Sequence, residues 1–489
     1  MMKLMYINGE FTKGSAKEEI EVTNPATEEV LDSVPRGTAA DVESAVRSSR
    51  EAFRSWRKLG ANERTSLLHE VASSVRNHRK EIVHLLTLEE GKPVSENDEE
   101  VDWVANTFDY YAELGRHDRG RVIPPGESSQ FNFILKEPYG VVGCIIPWNY
   151  PLLLMAWKVA PALAAGNTVI IKPSEMTPLT ALYMTEHCFD GLPAGVLNVV
   201  TGFGAETGEP LVKHPDVPVI AFTGSLATGQ RIASHAAPMM KKLHLELGGK
   251  DATVIAEDAD PELAAKAVTY AALINAGQVC TSTERVYIPK TKAKQLTEAI
   301  VEHVRSLRLG SGLEAGTDVG PMIGDSYRAK IESHVEDARA RGAQILTGGQ
   351  RPKEFARGWF YEPTVLTGVD HSMLIMRDET FGPALPLMEY TSFDEAIDLV
   401  NDSPYGLGAV LLSEDPRKIK TFFEDVKAGT IWINDPLTDN YAGPFGGMKY
   451  SGGARELGIE GLDEFRETKH VHWDFHLEDK SYWYPYGRA

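Results

Sequence analysis

The chain has 489 residues, 42% of them apolar and 25% charged, an ordinary globular balance on a length that calls for two or three domains. With 50 basic residues against 70 acidic ones, its formal charge is −20. Such a surface repels phosphate backbones and gains nothing at an anionic membrane, so neither nucleic acid nor membrane is expected as a partner.

No apolar run with a cleavage site follows Met1, so no signal peptide is read. Tyr6–Asn8 and Glu21–Asn24 read as short strands, and Ala39–Trp56 and Ala61–Glu89 have helical spacing. The second helix is expected to continue into an acidic segment ending near Asp102. Val101–Leu114 carries another helical pattern, and Gly120–Glu127 is turn-rich. The most hydrophobic stretch runs from Gly140 to Gly166. Pro147, Asn149, Pro151, Lys158 and Pro161 interrupt it, which suits buried core better than a bilayer span.

From Gly140 short apolar strands alternate with helices. Val141–Ile146, Thr168–Ile171, Val196–Val200 and Val219–Phe222 read as strands; Leu152–Ala165, Thr180–Phe189, Glu206–Lys213 and a segment from near Gly224 read as helices. After Lys250 the rhythm restarts with strands Ala252–Ile255 and Thr283–Ile288 and helices Pro261–Leu273, Thr291–Leu307 and Asp325–Arg341. This alternation means βαβ units and parallel sheet, twice over. The tail from His472 holds Trp473, Phe475, Tyr482, Trp483, Tyr484 and Tyr486 and reads as a packing surface.

Cys144, Cys188 and Cys280 are the only cysteines. Their spacing fits no zinc or disulfide framework, so no metal site is expected, and free thiols imply a cytoplasmic protein. A free cysteine is ordinarily inert core. Cys280, in Asn275-Ala276-Gly277-Gln278-Val279-Cys280-Thr281, is set apart by two other segments: Leu245-Glu246-Leu247-Gly248-Gly249-Lys250 and Pro147-Trp148-Asn149-Tyr150-Pro151.

Together, in this order, these segments resemble the aldehyde dehydrogenase superfamily. The resemblance extends through Lys172-Pro173-Ser174-Glu175, Phe222-Thr223-Gly224-Ser225, Glu379-Thr380-Phe381-Gly382-Pro383 and Pro444-Phe445-Gly446-Gly447-Met448-Lys449. The stretch from Asn149 to Glu175 looks most like the betaine aldehyde and broad-specificity branch. The chemistry fits these residue types. A thiolate attacks the aldehyde, and a side-chain amide steadies the oxyanion that forms. After hydride leaves, a base activates water to hydrolyse the thioester. The resemblance gives these roles to Cys280, Asn149 and Glu246, with Lys158 and Glu456 as a relay behind the base and Gly248 and Gly249 letting the base swing.

For the cofactor, Gly202 to Gly208 nearly matches a dinucleotide fingerprint. One interval is too long and the following acidic residue is missing, so it reads as a tight turn lining the site through Gly204. The resemblance places the pyrophosphate near Gly224 and Ser225, the adenosine ribose at Lys172 and Glu175, and the nicotinamide end at Glu379 and Phe381. Ile146, Trp148, Ser174 and Leu247 complete the lining. A carboxylate at Glu175 accepts ribose hydroxyls and repels a 2′-phosphate, so NAD is preferred and NADP disfavoured.

Leu273 and Ile274 stand where the family usually has Phe, altering the aldehyde tunnel, and Ala454 replaces a usual Gly. Tyr150 and Trp157 could line the tunnel, suiting an apolar aldehyde or a quaternary ammonium head; plain core is the alternative for Trp157. The substrate is therefore a betaine or amino aldehyde, or a larger aliphatic or aromatic one. The expected architecture is α/β: a Rossmann-type NAD-binding domain (1–116 and 139–247), an α/β catalytic domain (248–448), and a small β oligomerisation flap with a C-terminal tail (117–138 and 467–489) pairing a homodimer or homotetramer. The alternatives are a thiol hydrolase or acyltransferase and a non-catalytic protein on this fold. A CoA-acylating enzyme generally lacks the base, and Glu246 is present.

Overall fold

The computed structural model describes residues 2–15, 17–117 and 120–486. Three sheets organise it. The first has five parallel strands in the order Lys242–Glu246, Val219–Thr223, Val141–Ile145, Thr168–Lys172 and Leu197–Val199. Met5–Ile7 and Glu10–Thr12 extend it antiparallel. Its three middle strands are buried at every residue, which explains their uninterrupted apolar runs: a parallel sheet is covered on both faces. The helix Pro151–Ala165 covers one face, opened by proline at its first position and closed by Gly166 at φ 97°. Val42, Ala45 and Val46 of the helix Ala39–Trp56 pack with Ile170, Ile220 and Phe222 on the other face.

The second sheet runs Gln344–Thr347, Thr364–Thr367, Ala384–Tyr390, Arg285–Pro289, Ala252–Ile255, Gly408–Leu412 and Thr430–Ile433, parallel except at the first pair. The third is antiparallel: Arg466–Asp474 pairs along its full length with Gln130–Pro138, which also pairs with Gly120–Ile123. The strands of the first sheet lie within 5–246, those of the second within 252–433, and those of the third within 120–138 and 466–474. Of the expected segments, Met1, Ala16, Asp118, Arg119 and Gly487 to Ala489 lie outside the described residues.

Local expectations differ in three places. The long helix expected over Ala61–Glu89 is two, Ala61–Asn77 and Arg79–Glu90, broken at His78, whose ring lies 3.0 Å from the Ser74 carbonyl oxygen. The second ends at Gly91, left-handed at φ 94°, so the acidic segment belongs to the next helix, Val94–His117. The expected helix over Glu206–Lys213 starts as a wider turn, Gly204–Gly208, before Glu209–Lys213.

Topology places the site. The carboxyl ends of four parallel strands deliver Ile146 to Asn149, Lys172 to Glu175, Gly224 with Ser225, and Glu246 to Lys250 to one edge, where open α/β sheets bind ligands. The segments that precede strands of the second sheet bring Cys280, Glu379 and Phe381 to meet them.

Candidate active site

Cys280 follows three consecutive left-handed residues, Asn275 (φ 50°), Ala276 (φ 53°) and Gly277 (φ 72°). That backbone is costly for Ala276, and buried hydrogen bonds hold it. The Asn275 N–H donates to Glu96 Oε2 at 2.9 Å, and its Nδ2 donates to Glu90 Oε1 at 2.8 Å and to the Asn149 carbonyl at 2.9 Å. Gln278 Nε2 donates to the Asn275 carbonyl at 3.0 Å, while Gln278 Oε1 accepts from the Ile323 N–H at 2.9 Å. Burial, then the charges of Glu246, Asp251, Asp439 and Glu379, push the Cys280 thiol well above its ordinary range.

Glu246 ends the strand Lys242–Glu246 and is buried, with no hydrogen-bond partner on either carboxylate oxygen. Burial raises its carboxyl well above the ordinary range; Glu456 adds to this and Lys158 opposes it. The Asn149 side-chain amide is buried and donates to the Gln278 carbonyl at 3.0 Å.

Lys158 and Glu456 form a fully buried pair at 2.5 Å. Lys158 Nζ also donates to Thr223 Oγ1 at 2.7 Å, and Thr223 lies beside Glu246 in register. His244 Nε2 lies 3.0 Å from the same oxygen, Glu456 Oε1. Burial alone would raise the Glu456 carboxyl; Lys158 and His244 together hold it at about 2. Sequence reading passed over His244. Strand alternation was the available signal, since residues 244 and 246 of one strand share a face.

One cavity of about 360 Å³ collects the expected cofactor residues: Ile146, Trp148, Lys172, Ser174, Glu175, Gly204, Gly224, Ser225, Leu247, Glu379 and Phe381, together with Asn149, Glu246 and Cys280. At one end Lys172 pairs with Glu175 at 3.2 Å. In the middle Ser225 caps the helix Leu226–Ala236 and Gly224 donates to the Glu246 carbonyl at 3.1 Å. At the other end Glu379 Oε1 accepts from the Gly249 N–H at 3.2 Å, and burial, then Glu284, brings its carboxyl to about 7. The ring of Phe381 meets that of Trp148 edge-on at 5.5 Å.

Lys158 and Glu456 line neither this cavity nor the next. Neither Gly248 nor Gly249 has a positive φ, and each allows a close approach. A Cβ on Gly248 would stand 2.2 Å from Glu379 Oε1, and one on Gly249 2.6 Å from the Cys280 carbonyl.

A second cavity, about 100 Å³, opens on the other side of Cys280. Tyr150 and Trp157 line it, with Trp103, Tyr270 and Phe445, and Glu96, Glu99, Glu100 and Asp439 add carboxylates. Ile274 reaches this wall and Leu273 does not. Lys92, buried beside Glu90 and Glu100, lies 3.6 Å from the centre of the Tyr150 ring. No histidine lines either cavity. Among the described residues no cluster of three or more His, Cys, Asp and Glu could hold a metal ion, and no helix is long and apolar enough to cross a membrane.

A sequence model of the aldehyde dehydrogenase family matches residues 11–471. The chain belongs to the aldehyde dehydrogenase family.

Among its relatives are the peroxisomal aminoaldehyde dehydrogenase 1 of Malus domestica, 40% identical over 99% of this chain and 97% of that protein, and betaine aldehyde dehydrogenase 1 of Oryza sativa subsp. japonica, 40% identical over 96% and 94%. The crystal structure of a betaine aldehyde dehydrogenase from Staphylococcus aureus in complex with NAD+ superposes with a TM-score of 0.96, at 38% identity over 99% of this chain and 96% of that one. As an aldehyde dehydrogenase, the chain is an oxidoreductase with a cysteine nucleophile.

Proposed function

We propose that this aldehyde dehydrogenase oxidises a cationic aldehyde to its carboxylic acid, with NAD as hydride acceptor and water as the second substrate. The observation that carries the reading is the position of Cys280 between two cavities. One gathers residues suited to a dinucleotide, and the other is lined by aromatic faces and carboxylates. Aromatic rings and acids together favour a positive charge on the substrate. The relatives' names, betaine aldehyde and aminoaldehyde dehydrogenases, support the same class.

The cavity suits NAD on its own chemistry. Glu175, paired with Lys172, offers a carboxylate to a ribose and repels a 2′-phosphate, which favours NAD over NADP. The capped helix at Ser225 offers backbone N–H groups to a pyrophosphate. Glu379 would hold the second ribose, beside Phe381 and Trp148. When bound, NAD accepts the hydride.

The protein's own part follows from its side chains. Cys280 loses its proton as it attacks the aldehyde carbon. The Asn149 amide, released from the Gln278 carbonyl, donates to the oxyanion together with the Cys280 N–H. After hydride departure the acyl group rests on sulfur as a thioester. Glu246, with both oxygens free, takes a proton from water, and the hydroxide displaces the thiolate. Lys158 and Glu456 set the field in which Glu246 ionises. A thiol hydrolase of the Cys–His kind lacks its histidine here, and acyl transfer to CoA leaves Glu246 without a purpose.

The three-stranded sheet exposes Val122, Phe131, Leu135 and Trp473, with Phe475 just beyond its last strand, which supports pairing of subunits into a dimer or tetramer. Three free cysteines are consistent with a cytoplasmic setting. NADH formation with matched cationic and neutral aldehydes tests the reading. Preference for the cationic member supports it, and preference for the neutral isostere would overturn it.

A further inference from the structure

Asp439 stands apart from the other acids around Cys280. It lines the aldehyde cavity with Cys280, Leu437 and Phe445. Burial is the one influence acting on its carboxyl, which it raises to about 7; no basic side chain offsets it. Of the other acids on this wall, Glu99 is exposed and two are engaged elsewhere. Glu96 accepts from the Asn275 N–H, and Glu100 holds the N–H groups of Leu152 and Leu153 at 3.1 and 3.0 Å and pairs with Lys92. Asp439 is therefore a half-buried carboxylate on the wall of this cavity, with no hydrogen-bond donor or basic partner among the described residues.

We propose that Asp439 reads the substrate's charge and selects aldehydes whose cationic nitrogen carries N–H donors, primary ammonium over quaternary. This rests on the cationic-aldehyde reading above and narrows it. A primary ammonium has three donors and satisfies a carboxylate on the cavity wall through charge-assisted hydrogen bonds. A quaternary ammonium has none. It is satisfied by aromatic faces and offers the carboxylate no hydrogen bond.

The arrangement also couples binding to chemistry. Asp439 is one of four carboxylates, with Glu246, Asp251 and Glu379, whose charge helps keep the Cys280 proton in place. An ammonium bound to Asp439 cancels that contribution, so the substrate's own charge eases ionisation of the thiol that attacks it. The S–H bond breaks as sulfur bonds to the aldehyde carbon, and the thiol proton passes to solvent, which leaves Glu246 free for the later hydrolysis.

The test compares wild type with Asp439→Asn and Asp439→Glu on three aldehydes of equal chain length carrying a primary ammonium, a trimethylammonium or a neutral alkyl end. In wild type the primary ammonium aldehyde should have the highest kcat/KM. Asp439→Asn should cut its preference over the neutral aldehyde about 10–100-fold, the worth of one charge-assisted hydrogen bond. Asp439→Glu should retain most of it. In parallel, the pH dependence of Cys280 alkylation by iodoacetamide should shift to lower pH when a simple alkylamine is added to wild type, and should not respond to the amine in Asp439→Asn. If both cations outrun the neutral aldehyde and Asp439→Asn leaves their ratios unchanged, the role of Asp439 is wrong and the cationic reading stands. If the neutral aldehyde is best in wild type, the cationic reading falls with it.

Discussion

Lys158 Nζ lies 2.5 Å from Glu456 Oε1, and both side chains are completely buried. The pair sits beneath Glu246, where Lys158 favours the ionised base and Glu456 opposes it. Removing one partner from a buried pair strands the other charge and typically costs about 3–5 kcal/mol. Lys158→Met should therefore lower stability by about that amount in denaturant unfolding, and pairing it with Glu456→Leu should recover much of the loss. Lys158→Met should also move the acid limb of the kcat profile to higher pH, because Glu246 loses the nearby cation that favours its ionised form. An unmoved limb would separate the pair from the base.

Glu246 is costly to the fold. Its folded carboxyl titrates above the unfolded value, so the native state binds the extra proton. Below the unfolded value both states are protonated and nothing is lost; above the folded value the buried charge is a full penalty. Glu246→Gln should raise the melting temperature at alkaline pH, and that gain should shrink as pH falls through the folded pKa. Thermal melts of both proteins across pH check this. An equal gain at every pH would point to some other cause.

Asn275 Nδ2 ties the Asn149 carbonyl to the cysteine loop at 2.9 Å. Asn275→Ala removes that link and leaves Glu90 Oε1 without this donor. A small displacement between nucleophile and oxyanion donor can cost about 10–100-fold in rate. The variant should show a slower NADH burst of about that factor, with NAD affinity little changed. A wild-type burst would mean that the loop holds itself.

The segments that meet at the candidate site and the double α/β rhythm were legible because local rules write them. Apolar runs of strand length mark buried parallel strands, and Cys280, Glu246 and Asn149 each sit in a recognisable segment. What could not be read depends on contacts between distant segments. His244 meets Glu456 across 212 residues of chain, and no local pattern announces that pairing. The break at His78 escaped because helical periodicity carries through it. Gly248 and Gly249 look like a hinge in sequence, yet the positions of Glu379 and the Cys280 carbonyl, fixed only by the fold, explain them as close approaches. Asp439 lies in a segment without a motif, and only its place with Cys280 on one cavity wall gives it meaning.

The thioester on Cys280 is the central claim, and rapid-quench intact mass measurement of Glu246→Gln mixed with aldehyde and NAD examines it directly. Acylation should outrun hydrolysis, because a positioned general base is worth about 10²–10⁴-fold. The protein should gain the mass of one acyl group, mapped to the peptide holding Cys280, in step with one NADH per active site. Cys280→Ala should gain none. A full NADH burst with no acyl mass on Cys280, or acyl mass on another residue, would contradict the mechanism.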